Sequence, residues 1–157
     1  MKSQMILFAV VASLGGALPA WGQFTDYDWA VALHKEFGFD DMAEKVFRRM
    51  VDEPSRSDLD KQQGKLGLAG LRAAQARNAR TLDERLKLLD EARQLMQAVL
   101  EGWKDKSSQE YVAAVFALVD VLEERGTLAM EAVTEGMVDA ADADKYRQVA
   151  HADCGRA

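Results

Sequence analysis

Few side chains in this chain have the types and spacing that chemistry requires. His151 and Cys154 are three residues apart, so on a helix they share a face. That supplies two metal ligands, where zinc wants four, or three and a water. As a nucleophile and base the pair is poorly placed, because a residue three positions along a helix packs rather than attacks. The second histidine, His34, is in the other half of the chain. It reads as a core substitute for an aromatic ring, with one ring nitrogen bonded to a neighbour. Cys154 is the single cysteine and reads as a buried thiol.

Carboxylates occur as adjacent pairs at Asp40-Asp41, Asp83-Glu84, Asp90-Glu91 and Glu123-Glu124. Neighbours on a helix point about 100° apart, so none of these pairs can flank a glycosidic bond. They suit helix first turns, where the dipole favours negative charge, and exposed faces. Gly64, Lys65, Gly67 and Gly70 do not make a phosphate loop, since no strand precedes them and no Ser or Thr follows the lysine. The expectation is a protein that is not an enzyme over this stretch, with no cofactor and no metal.

The elements around these residues are helical. Only two prolines and one asparagine occur, too few turn residues for an all-β fold. Tyr27, Ala30, Val31 and His34 form one stripe of a first helix, and Trp29, Leu33 and Phe37 form another. Gly38 breaks it. Phe39, Met42, Ala43, Val46, Phe47, Met50 and Val51 recur at steps of three and four, ending before Pro54. Two apolar faces on one short helix require two neighbours, a demand met by stacked repeats. A third helix runs from about Leu59 to Ala79, with Leu66, Ala69, Gly70 and Ala73 as a small-residue stripe. Its glycines, each costing a helix about 1 kcal/mol, predict close helix contacts. Thr81 and Glu84 match a capping box for a fourth helix extending about 33 Å to Trp103. Ser107 and Glu110 match another. The fifth helix, apolar on nearly every side, is expected to be buried between neighbours and to stop at Glu123–Gly126. A sixth covers Leu128 to Val138. Asp142 caps a seventh, with Ala143, Tyr146, Ala150 and Cys154 on one face.

Residues 1–22 read as a leader. Lys2 provides the positive start, Met5 to Leu14 the apolar centre, and Ala20-Trp21-Gly22 the small residues of a cleavage site. The apolar stretch is short of the roughly 20 residues of a membrane span. Cleavage after Gly22 leaves residues 23–157 as the mature domain, periplasmic or secreted, without a stable membrane span. The net charge of −6 disfavours nucleic acid, and Arg72, Arg77 and Arg80 are diluted by nearby acids. An unpaired last helix with an apolar stripe predicts either a chain that continues beyond Ala157 or a homodimer through that helix.

The stretch Tyr27–Pro54 resembles a tetratricopeptide repeat. That family's pattern has an early aromatic, a glycine at the turn, an alanine and a large aromatic in the second helix, and a proline after it. Tyr27 or Trp29, Gly38, Ala43, Phe47 and Pro54 fill those places, the proline one residue early, and Ala30-Val31 replaces the family's leucine-glycine pair. Ala92 and Met96 resemble the second-helix pair of a longer unit, 49 residues on. Tyr111 to Val138 forms a third, with Gly126 at its turn. The resemblance implies an all-α fold of antiparallel helix hairpins stacked as a TPR-like α-solenoid. It also implies a concave groove for a protein or peptide partner, lined in the first unit by Asp28, Ala32, Lys35 and Glu36. Two functions accommodate this reading. One is an exported scaffold for protein–protein interaction. The other is the N-terminal repeat region of a larger exported enzyme whose catalytic domain lies beyond residue 157.

Overall fold

The structure, a computed structural model, describes residues 25–155 apart from the Cys154 side chain. The expected leader and its cleavage point fall outside the described residues. Six helices follow one another: α1 (Asp26–Lys35), α2 (Asp40–Asp52), α3 (Asp58–Asn78), α4 (Leu82–Gly102), α5 (Gln109–Thr134) and α6 (Ala140–Cys154). Among the described residues there is no strand, and no helix is long and apolar enough to cross a membrane.

Local chemistry sets the helix starts. Thr25 and Asp28 close a capping box on α1, and Ser57 and Asp60 do the same on α3. Thr81 caps α4 by accepting from the Glu84 N–H. On α5 the cap is Ser108, which accepts from Tyr111 N–H. The expected Ser107–Glu110 box does not form, because Ser107 turns back to Asp105. The residue before α6 is Asp139, and Asp142 is in the first turn rather than at the cap.

Successive helices make the most extensive contacts, and α1 also reaches α3. The apolar interior is divided in a regular way. Ala30, Leu33, Ala43, Phe47, Met50 and Leu68 join α1, α2 and α3. Ala69, Ala73, Leu89, Met96, Val121 and Leu128 join α3, α4 and α5. Ala129, Tyr146 and Ala150 join α5 to α6, with Leu82 and Leu86 of α4 against them. Each cluster therefore joins neighbouring helices, and Leu95 of α4 also packs against the first.

The small residues of α3 permit the first of these clusters. A Cβ on Gly67 would stand 2.2 Å from the Phe47 ring, and one on Gly64 would stand 2.9 Å from Met50 Cβ. Gly70 faces open space, so the close-contact reading holds for two of the three glycines.

Three sequence expectations are corrected. First, Glu123–Gly126 does not end a helix. Glu124 accepts from Arg77 of α3, and Arg125 bridges Asp90 of α4 and Asp153 of α6, so the polar run is an inter-helix seam and Gly126 is buried in mid-helix. The expected fifth and sixth helices are one. Second, the last helix consequently has a partner: Ala143, Tyr146 and Ala150 are buried, and Ala129 and Val133 of α5 with Leu82 and Leu86 of α4 pack against Tyr146 and Ala150. That stripe no longer calls for a second copy. Third, α5 is not enclosed on all sides, for Val112 and Phe116 face solvent.

Candidate partner-binding surface

The first hairpin turns at Gly38, whose φ of +66° is a left-handed conformation that glycine adopts without a Cβ penalty. Gly38 N–H donates to His34 O at 3.3 Å, and Phe39 N–H donates to Leu33 O at 2.8 Å. His34 Nδ1 lies 2.7 Å from Asp40 Oδ1, joining α1 to the first turn of α2. The histidine has the bonded ring nitrogen expected of it, though it is half-buried between helices rather than in the core.

This firm turn presents aromatic surface outward. Phe37 and Phe39 stack at 6.1 Å with an 18° tilt, both more than half exposed. Met42 shares a shallow cleft of about 320 Å³ with Phe39, Asp40 and Asp41. Trp29 of α1 is 50% exposed. Sequence reasoning placed Trp29 and Phe37 on a second buried stripe and Phe39 and Met42 on the stripe of α2. The structure buries Leu33 from the first set and Ala43, Phe47 and Met50 from the second. The reason is spatial: among the described residues α1 packs on α2 and α3, and Trp29 and Phe37 lie off that contact side.

The four groove positions expected from the resemblance are distributed as follows. Asp28 is exposed, but its carboxylate is occupied by Thr25 N–H and Oγ1 at 3.1 and 2.7 Å. Ala32 is half-buried. Lys35 and Glu36 are exposed at the end of α1, and Glu36 closes it by donating its N–H to Ala32 O. The signal that could have found the outward patch is the Phe-Gly-Phe triplet, since a glycine turn flanked by aromatics has no helix face to bury them on.

Other charged groups tie helices together. Arg72 of α3 donates to both Glu44 oxygens on α2, at 2.7 and 3.0 Å, and reaches Glu91 of α4 at 3.1 Å. The Arg72 hydrogen bond, aided by Arg48, pulls Glu44 from an ordinary 4.5 down to about 2. Asp26 of α1 pairs with Arg49 of α2 and with Arg56 of the following loop. Asp153 is 1% exposed and receives a 2.6 Å bond from Arg125. Burial opposes the charge on Asp90, yet Arg93 and Arg125 hold its carboxyl below the usual range. Tyr146 donates to Asp83 at 3.0 Å, and burial together with that carboxylate raises its phenol. His151 is exposed. Among the described residues no group of three or more His, Cys, Asp or Glu could hold a metal ion.

Comparison of the chain with protein-family models, curated proteins and solved structures gave no match.

Proposed function

We propose that this chain is an exported helical-repeat scaffold of TPR-like type that holds a protein partner, with the first hairpin's turn as its contact surface. The observation that carries the reading is the stacked Phe37–Phe39 pair with Met42 on a turn fixed by Gly38 and the His34–Asp40 bond. Aromatic and methionine side chains held on a firm element present contact area at low ordering cost, which is what a protein interface uses. The layered clusters and helix-to-helix ion pairs support the same reading, because these polar groups brace neighbouring helices. Lys35 and Glu36 flank the turn and would supply the polar rim of the contact.

Two measurements test it. Phe37→Ser with Phe39→Ser should leave the circular dichroism melt nearly unchanged, since both rings are exposed, and should abolish retention of the partner recovered with the unaltered chain. Retention that survives both changes removes the turn from the interface. For export, mass spectrometry of the protein recovered from a Gram-negative host should show a species beginning at Gln23 outside the cytosol. A chain that keeps Met1 inside the cell contradicts the leader.

A further inference from the structure

Where α4, α5 and α6 meet, a small cleft of about 200 Å³ opens between them. Leu86 of α4 and Val149 and Tyr146 of α6 form its apolar side. Lys87 of α4, Arg125 of α5 and Lys145 of α6 bring one cation from each helix. The size suits a compact organic body, since an apolar cavity of about 150 Å³ takes up benzene.

Arg125 is the buried member of this set, with its side chain 16% exposed. It reaches Asp153 through Nη1 at 2.6 Å and Asp90 through Nη2 at 3.3 Å. Its Nε–H is buried and has no hydrogen-bond partner among the described residues. A buried guanidinium N–H left unpaired is costly, and an acceptor in the cleft would satisfy it.

The two lysines also lack a counter-charge. Lys87 and Lys145 are exposed and make no ion pair among the described residues. Lys145 Nζ stands 5.5 Å from the centre of the Tyr146 ring, so its charge lies over the aromatic wall. The carboxylate on the lining, Asp83, accepts from Tyr146 OH at 3.0 Å. Asp142, whose charge also reaches Tyr146, is in the first turn of α6, where the helix dipole favours it. The chain as a whole carries −6, so attracting an anion takes a local convergence of cations such as this one. A carboxylate can accept from the Nε–H and from ammonium groups while its body rests on Leu86, Val149 and Tyr146. Inorganic phosphate has no apolar part to place there.

We propose that this cleft binds a small organic carboxylate, with its charge at Arg125 Nε and the two lysines and its apolar body against Leu86, Val149 and Tyr146. The site is separate from the aromatic turn and independent of the scaffold reading.

Benzoate titrated into the purified chain up to millimolar concentration, followed by heteronuclear NMR, tests it. Saturable shifts should appear at the Arg125 Nε–H and at backbone amides of all three helices around the cleft. Benzamide, of the same shape without the charge, should bind at least tenfold more weakly, about 1.4 kcal/mol. Inorganic phosphate should not saturate the same resonances. Lys87→Gln with Lys145→Gln should weaken benzoate at least tenfold and leave the melt nearly unchanged, since both side chains are exposed. Val149→Phe fills the cleft and should remove binding; it serves as the second variant if the lysine pair melts early. Benzoate that leaves the Arg125 resonance unmoved overturns the proposal, as does benzamide or phosphate that binds equally well. So does an affinity for benzoate that neither the lysine changes nor Val149→Phe alters.

Discussion

At the scale of single residues, the tightest constraint is the fit of the Phe47 ring against Gly67. Both lie where α1, α2 and α3 meet, with Tyr27 tilted against Phe47 at 5.9 Å. A methyl on Gly67 would enter the ring's volume, so Gly67→Ala should destabilise by about 1–3 kcal/mol through overpacking. Gly70 is three residues further along the same helix and meets open space. There the methyl only restricts the unfolded chain and improves helix propensity, so Gly70→Ala should stabilise by about 0.5–1 kcal/mol. Urea titration of the two variants checks this through the midpoint at constant slope; equal effects would mean that α3 is turned differently against α2. A second residue-scale prediction concerns Glu44. Its carboxyl is depressed in the folded protein to about 2, so the unfolded state binds the proton first as pH falls. The stabilisation is complete above an ordinary carboxyl value of 4.5 and is lost as pH drops from there through about 2. Denaturant titrations between pH 5 and 2 should show that loss, and Glu44→Gln should flatten this part of the profile. An unchanged slope in the variant would mean that Arg72 does not hold the carboxylate in solution.

At the scale of elements, much of the fold was legible. The alternation of Ala43, Phe47 and Met50 at steps of four and three marked the buried face of α2, and the polar loop around Pro54 marked its end. Thr81 announced α4 because a hydroxyl before an apolar-periodic run has few other uses. The failures share a cause. A polar run followed by glycine is the same local signal whether a helix stops or passes beneath its neighbours. At Glu123–Gly126 the outcome is decided by Arg77, Asp90 and Asp153, all distant in sequence. Trp29 and Phe37 were misread for a similar reason, since apolar spacing shows that a face exists and only the arrangement of neighbours shows whether it is covered. The groove positions Asp28, Ala32, Lys35 and Glu36 came from a family pattern; what the pattern did not contain is the Thr25 cap that occupies Asp28.

At the scale of the whole molecule, the distribution of apolar clusters predicts a stability graded by position. The middle helices α3 and α4 contribute to two or three clusters, while α1 contributes to one and α6 to one. In such a chain, opening begins where a helix has a neighbour on a single side. Native-state hydrogen exchange should therefore find the slowest amides in α3 and α4 and the fastest in α1 and α6, with α2 and α5 between. Uniform protection across all six would instead indicate one indivisible cooperative unit.

The neighbour-by-neighbour contact pattern also has a mechanical side. Among the described residues α1 packs on α2 and α3, and α6 packs on α5 with Leu82 and Leu86 of α4 beside it, so a force applied at one end would pass to the other through several helix seams. Small tilts at each seam would then add up. Stacked as the proposed solenoid, stiff rods joined by short braces would act along their length as a spring.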